Sequence, residues 1–500
     1  MSESQKVAHF LESFVNPRSV AFFGANEELL KNMGAQQLLT LIDSGYQGPI
    51  YPIHPRLESV FGLKAYKKIN ELPEVPDLAI VILPTRIIHE IFEEIGQFGV
   101  KNVVLVTAGF RETNNEKGEK ELKEIARKYG FRFLGPNCIG FMNTKVVIPE
   151  KPDSIFNCTY VYYPLGQGNV SIASQSGTFA CHTNLLLEER NLALAKAFSV
   201  GNEADIDICD CLEYFEHDPQ TEIILLYLEE IKRGKKFREL AARISKKKPI
   251  IAIYVGGTSG GARAVSSHTG SMGGNDAIFN AVFKQTGIIR VFSYEEWVDA
   301  ASLFSKMVPL GAIPKGRRLA VITNSGGPAA TSSDLASRYG LNLPLFSQQL
   351  RTNLRQYMPT TGQTVNPVDY TFNINPANYY VQVPKVISKS GEVDGIICYG
   401  AFGDGFFQHG KIGMKIIEEK NLFAGFKMLD ELMESILKDT LRTIKKTKIP
   451  IIFVNLIGLP DRIFGELNRM GIPIFRFEHQ AVKAMIKLIE YGEYLSQNTQ

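Results

Sequence analysis

Val170-Ser171-Ile172-Ala173-Ser174-Gln175-Ser176-Gly177-Thr178 joins a β-branched run to a turn of small, hydroxyl-bearing residues, and a helical pattern follows. Leu319-Ala320-Val321-Ile322-Thr323, continued by Asn324-Ser325-Gly326-Gly327-Pro328, repeats the design. A short apolar run, a Gly-rich turn and a helix, recurring in that order, describe strands of a parallel sheet buried under helices on both faces. The fold class read from the sequence is therefore α/β.

Working outward, the first block carries Ser19 to Phe23, Ile50 to Ile53, Leu78 to Ile82, Val103 to Val106 and Arg132 to Leu134 as strands, with helical segments such as Arg86 to Gly96 between them. It reads as a Rossmann-like domain over residues 1–145, its regular part ending near Asn143. After an irregular, Pro-bearing stretch from Pro149 to Gly168, a second block over 160–308 carries Val170 to Ala173, Ala197 to Val200, Ile223 to Leu228 and Ile250 to Tyr254, closed by a helix around Tyr294 to Leu303. A linker with Pro309, Gly311, Pro314 and Gly316 leads to a third block over 316–495, with strands at Leu319 to Thr323, Gly395 to Tyr399 and Ile451 to Val454.

Five hundred residues exceed what one hydrophobic core serves, in keeping with several domains. Lys and Arg number 55 against 52 Asp and Glu, a net charge of +3, too balanced for a nucleic-acid or acidic-membrane footprint. No apolar run approaches a membrane span, and the polar start Met1-Ser2-Glu3-Ser4-Gln5 lacks a signal-peptide core, so a cytoplasmic location is expected. The six cysteines show no CxxC pair, which argues against a zinc site or disulfide framework; no metal site is expected.

Ligands of open parallel sheets sit beyond the carboxyl ends of the strands. In the first block these ends are Gly24-Ala25-Asn26, His54-Pro55, Leu83-Pro84-Thr85, Thr107-Ala108-Gly109-Phe110 and Gly135-Pro136-Asn137-Cys138. The first turn is not a GxGxxG fingerprint, and neither Asp43 nor Asp77 ends a second strand, which disfavours NAD; a nucleotide-like ligand held by turns remains. The helix starts at Ser176-Gly177-Thr178 and Ser325-Gly326-Gly327 offer free N–H groups and partial positive charge, suited to an anion or to plain capping. Ala262-Arg263-Ala264-Val265-Ser266-Ser267-His268-Thr269-Gly270 sets a histidine among small residues, reading as an exposed glycine loop, and the run Ile223 to Leu228 ends in Glu229-Glu230. A carboxylate accepting from one ring nitrogen fixes the tautomer and makes the other nitrogen the nucleophile, so the pair suggests a histidine that carries a phosphoryl group.

SVAFFGAN, TAGF, GPNCIGFMNT, SIASQSGT, SVGNEADID, YLEE, GARAVSSHTGS, ITNSGGPA and NPVD follow one another in this order over roughly residues 15 to 490. The ordered set resembles the NDP-forming acyl-CoA synthetases of the ADP-forming acetyl-CoA synthetase type, relatives of succinyl-CoA synthetase, and specifically their large (alpha) subunit. The resemblance implies a CoA-binding Rossmann-like domain followed by two flavodoxin-like ligase domains. It implies that His268 is phosphorylated and Glu229 orients it, and that Ser176, Gly177, Thr178, Ser325, Gly326 and Gly327 bind phosphate. Coenzyme A would then lie on Gly24, Ala25, Asn26, His54, Pro84, Thr107, Ala108, Gly109, Asn137 and Cys138.

The implied chemistry interconverts acyl-CoA plus phosphate with acid plus CoA through an acyl phosphate and phosphohistidine. ADP or ATP with magnesium is expected on a separate ATP-grasp beta-type subunit, giving a hetero-oligomer, because no segment of this chain reads as that module. One departure from the family pattern is Glu27-Glu28 after the first glycine turn, where carboxylates would repel CoA phosphates unless turned away. A CoA- or acyl-CoA-binding regulatory or scaffold protein without turnover is the rival reading.

Overall fold

A computed structural model describes residues 9–149, 151–163, 165–269, 274–371, 375, 377–400, 438–456 and 462–498. The chain falls into two compact units, one of residues 1–188 with 192–292 and one of 189–191 with 293–500. Among the described residues the first unit holds two large sheets and a two-stranded one, and the second unit holds one sheet.

The first sheet is built from β1 (Val20–Phe23), β2 (Ile50–Ile53), β5 (Leu78–Val81), β6 (Asn102–Leu105) and β7 (Arg132–Leu134), with a small hairpin of β3 (Ser59–Val60) and β4 (Leu63–Lys64) beside it. Its order is β2-β1-β5-β6-β7, every pairing parallel, with Val20 opposite Ile50 and Leu78, and Asn102 opposite Leu78 and Arg132. All four residues of β1, β5 and β6 are buried, as expected of strands covered on both faces. The amphipathic helices Ile88–Phe98 and Glu116–Tyr129 end at Gly99 and Gly130 in the left-handed conformation, which releases the chain into β6 and β7.

The second sheet has the order β14-β13-β12-β10-β11-β8-β9, from β8 (Phe141–Ile148), β9 (Lys151–Asn157), β10 (Val170–Ser174), β11 (Leu194–Ser199), β12 (Ile223–Leu228), β13 (Ile250–Tyr254) and β14 (Ile289–Val291). Here the sequence reading needs correction. The block taken to end near Asn143 continues as β8, and the stretch taken as irregular contains β9; the two form an antiparallel pair that docks on β11 with Phe198 opposite Phe141. Phe141 stacks on Phe156 at 4.7 Å and on Phe198 at 5.8 Å, so the pair is fixed by aromatic burial. One continuous apolar core runs from Leu11, Val20 and Phe22 through Phe141 and Phe156 to Leu226 and Ile250, which makes the two sheets one unit. A second core, including Phe92, Leu122 and Phe133, fills the other face of the first sheet.

The second unit carries the parallel sheet β16-β15-β17-β18-β19, from β15 (Leu319–Thr323), β16 (Val368–Asp369), β17 (Gly395–Tyr399), β18 (Ile451–Val454) and β19 (Ile474–Phe475). The helix Tyr294–Met307, read from sequence as closing the second block, packs in this unit against Glu478–Gln497: Gln480 donates to Glu295, Lys483 pairs with Glu296 at 2.7 Å, and Phe304 lies 5.5 Å from Tyr491. Among the described residues no helix is long and apolar enough to cross a membrane.

Candidate active site

A cavity of about 430 Å³ opens at the carboxyl ends of β5 and β6. Ile82 to Pro84 and Val106 to Ala108 form one wall, Asn137 to Ile139 the floor, and Gln175 to Thr178, where the helix Gly177–Glu188 begins, the far end. Of the residues singled out in the sequence, Pro84, Thr107, Ala108, Asn137 and Cys138 therefore meet Ser176, Gly177 and Thr178 around one space. Met33 and Tyr160 complete its lining. The helix start brings the backbone N–H groups of its first turn to a space where apolar Ile82, Pro84, Ala108 and Ile139 alternate with polar Thr107, Asn137, Tyr160 and Gln175, a combination able to hold a small anion attached to an arm of mixed polarity.

Local bonding explains this arrangement. Thr107 Oγ1 donates to the Leu83 carbonyl at 2.7 Å and accepts from the Leu83 amide at 3.1 Å, tying the two strand ends together. Asn137 takes a positive φ of 56°, its amide donating to the Thr107 carbonyl and its Nδ2 to Asn202 Oδ1. Ser174 Oγ donates to the Ser176 carbonyl and accepts from the Ser176 amide, which bends the chain from β10 into its helix. Thr323 Oγ1 donates to the Ser325 carbonyl in the same way, so Ser325, Gly326 and Gly327 stand at the start of Gly326–Arg338 in the second unit. Cys138 is buried, and burial pushes its thiol up to about 12, so it lines the space as a small apolar group rather than a thiolate.

The remaining first-block positions lie outside the cavity lining. Gly24 has φ +90°, and a Cβ there would stand 2.1 Å from the Ile82 carbonyl oxygen, so only glycine lets β1 turn this close to β5. Ala25 is buried, and Asn26 Oδ1 accepts from the Glu28 amide. His54 Nδ1 accepts from the amides of Arg56 and Leu57, and Gly109 donates its amide to Glu112. Glu27 accepts from the Phe61 amide at 2.7 Å, so that carboxylate is already engaged with its own chain.

Glu229 is buried at the end of β12, and burial, with the nearby Glu229 carboxylate adding to it, raises the Tyr227 phenol. The backbone of His268 falls in the last turn of the helix Ser259–Thr269, which corrects the loop expectation; its side chain and residues 270–273 lie outside the described residues. The helix forms because Gly256, at φ +103°, turns the chain, Thr258 Oγ1 accepts from the Gly261 amide as a cap, and Ala262-Arg263-Ala264 favour helix.

Several polar side chains that sequence reading passed over hold these parts together. Gln175 Oε1 accepts from the amides of Glu229 and Glu230, while its Nε2 donates to the Glu230 carbonyl and to Glu203. Asn202 Nδ2 donates to Glu112 and Glu119, and Lys232 Nζ donates to the carbonyls of Asn202 and Glu203. The positive φ of Glu203, 52°, and its burial mark this loop. In the sequence it showed only as part of SVGNEADID.

Two domain models match the chain: a CoA binding domain over residues 18–144 and a succinyl-CoA ligase like flavodoxin domain over 167–304. Fold and matches together define the class as acid–thiol ligases. The chain is 37% identical over 390 residues to the alpha subunit of Acetate–CoA ligase [ADP-forming] II of Pyrococcus furiosus, covering 77% of this chain and 81% of that one. It is 33% identical over 492 residues to the alpha subunit of Acetate–CoA ligase [ADP-forming] I of the same organism, covering 97% and 98%. It spans 49% of the Acetate–CoA ligase [ADP-forming] of Methanocaldococcus jannaschii, at 38% identity over 72% of this chain. Acetyl-coenzyme A synthetase 1 of Ca. Korarchaeum cryptofilum, solved with phosphate and ADP, superposes with a TM-score of 0.78 at 30% identity, covering 98% of this chain and 99% of that one. The chain belongs to the family of ADP-forming acetate–CoA ligase alpha subunits, within the NDP-forming acyl-CoA synthetases.

Proposed function

We propose that this chain carries out the CoA half of ADP-forming acyl-CoA synthesis. Acyl-CoA and inorganic phosphate give an acyl phosphate and free CoA; the phosphoryl group passes to His268, with release of the carboxylic acid, and then to ADP. The observation that carries the reading is the shared cavity, which brings the strand-end turns of a CoA binding domain to the helix start at Ser176-Gly177-Thr178. An apolar arm ending in a thioester fits along Pro84, Ala108 and Cys138. The incoming phosphate would meet the amides of Gly177 and Thr178, where charge developing on the oxygens is stabilised by donors already in place. Ser325-Gly326-Gly327 are assigned the equivalent task at their own helix start.

Glu229 would accept from one ring nitrogen of His268 and hold the other as the nucleophile. Gln175 Oε1 accepts from both the Glu229 and Glu230 amides, which keeps the backbone that carries that carboxylate in place. Each step exchanges one high-energy bond for another, so the work is positioning and electrostatic stabilisation. Two relatives matched over most of their length are named alpha subunits, and the M. jannaschii ligase is roughly twice the span matched, which supports a nucleotide-binding half on an ATP-grasp beta-type subunit, with magnesium held there.

Incubating the full-length chain with acetyl-CoA and labelled inorganic phosphate should give an acid-labile, alkali-stable label that His268→Asn does not take up. Label that survives in His268→Asn overturns the assignment of the histidine. A chain that binds CoA yet takes up no label supports the scaffold reading instead.

A further inference from the structure

We propose that Glu203 is a positioning residue that sets the orientation of the Gln175 amide and, through it, the end of β12 on which Glu229 stands. The inference rests on the function proposed above. Glu203 lies in the turn after β11, 4% exposed, at a positive φ fixed by its own amide donating to the Val200 carbonyl. Both of its carboxylate oxygens act as acceptors: Oε1 takes the Ile208 amide at 2.8 Å and Oε2 takes Gln175 Nε2 at 2.7 Å. The Lys232 ammonium lies alongside, donating to the Glu203 carbonyl at 3.0 Å.

Gln175 has two orientations related by a half-turn of its amide. In the observed one, Oε1 accepts from the Glu229 and Glu230 amides and Nε2 donates to Glu203 and to the Glu230 carbonyl. The flipped one would set NH₂ against two N–H donors and the oxygen against a carboxylate and a carbonyl. Unmade bonds of buried groups are costly, so the acceptor pair on Glu203 helps select the orientation that pins the backbone of Glu229 and Glu230. Gln175 also lines the cavity beside Ser176, so the same side chain ties the helix start to the strand that carries Glu229. A glutamine at 203 would have the same shape and one acceptor too few: however its amide lay, its NH₂ would face either the Ile208 amide or Gln175 Nε2.

The test compares the full-length chain with Glu203→Gln, Gln175→Met and the double variant. Hydrogen exchange at the Glu229 and Glu230 amides is read first, because it needs no activity. In Glu203→Gln it should accelerate by about tenfold or more, while exchange in β13 stays as in the wild type. The rate of His268 phosphorylation at saturating acetyl-CoA and inorganic phosphate should fall by about ten- to a hundredfold, with the half-saturating acetyl-CoA concentration changed less than about threefold. The double variant should be no slower than Gln175→Met alone, because Glu203 acts through Gln175. Wild-type exchange at the two amides in Glu203→Gln, or losses that multiply in the double variant, would overturn the inference. If Glu203→Gln does not fold, Glu203→Asp keeps the charge but shortens the reach, and about three- to tenfold changes in the same readouts are expected. A wild-type chain that takes up no phosphate counts against the proposed function, and the exchange measurement still decides whether Glu203 controls the end of β12.

Discussion

Arg111 Nη2 and Glu230 Oε1 meet at 2.7 Å, joining the turn that follows β6 of the first sheet to the residue next to Glu229 at the end of β12. Each side chain is about four-fifths buried, so the pair belongs to the interior of the unit rather than to its solvated surface. Arg111 also donates to the Asn202 carbonyl, and Asn202 donates to Glu112, whose other oxygen takes the Gly109 and Phe110 amides. The turn proposed to hold CoA is thus wired to the strand that ends at Glu229, the carboxylate proposed to orient His268.

Arg111→Met keeps an unbranched apolar stem, removes the guanidinium and leaves Glu230 with Lys232, 3.8 Å away, as its remaining cation among the described residues. Urea denaturation should show a loss of about 1 to 3 kcal/mol. Calorimetry should show CoA binding about tenfold weaker, because the 107–110 turn loses its anchor. An unchanged affinity with lowered stability would separate the pair from the ligand site.

Glu229→Gln keeps the shape of the side chain and removes the charge that would hold the histidine tautomer. His268 phosphorylation should slow by about one to three orders of magnitude, with CoA binding unchanged. Quench-flow labelling measures it. An unaltered rate would move the orienting role to Glu230 or another carboxylate.

Burial pushes the Glu203 carboxyl up to about 7, with Lys232 opposing the shift and Asp207 adding to it. Its folded value exceeds the unfolded one, so the stability it contributes is complete below the ordinary carboxylate range and is lost as pH rises through 7. Activity runs the other way, because the ionised form is the one with two acceptors for Gln175 and Ile208. The phosphorylation rate should therefore rise through about pH 7, and this step should vanish in Glu203→Gln. A pH–rate profile of both proteins checks it.

Lys306 is buried on Tyr294–Met307 with Ser302 Oγ at 2.9 Å and the Arg190 carbonyl at 3.4 Å, and burial lowers its ammonium to about 7. A depressed lysine costs most where it is still charged, so stability should increase with pH from about 7 towards 10. Lys306→Met should raise the melting temperature at pH 7, by about 1 to 3 kcal/mol in stability, and the gain should shrink towards pH 10. A variant melting below the wild type at pH 7 would show that the two hydrogen bonds outweigh the buried charge.

Strands such as Val20–Phe23, Leu78–Val81 and Ile250–Tyr254 are legible in the sequence because parallel strands buried on both faces are written as unbroken apolar runs. β8 and β9 are not, because Asn143, Thr144, Ser154 and Asn157 are buried polar residues that a hydropathy pattern counts as solvent-facing. Asn143 donates to the Val15 carbonyl and Thr144 to those of Leu194 and Ala195, partners found only after folding. The strand-end turns and helix starts were legible from spacing, since the sheet itself fixes where they lie. Gln175 stood inside a quoted turn, yet its amide bonds to Glu203 and to the Glu229-Glu230 backbone, and no local pattern of residues reports on contacts so distant in sequence.

The β8–β9 pair also sets an order of events during synthesis. The hairpin emerges from the ribosome ahead of Leu194–Ser199, so the edge of β8 that receives β11 waits for its partner while translation continues for about a few seconds. An open strand edge in a nascent chain is a template for pairing with a neighbouring chain on the same message. Asn143, Thr144 and Lys145, the residues that make β8 hard to recognise from composition, are the kind that discourage such pairing.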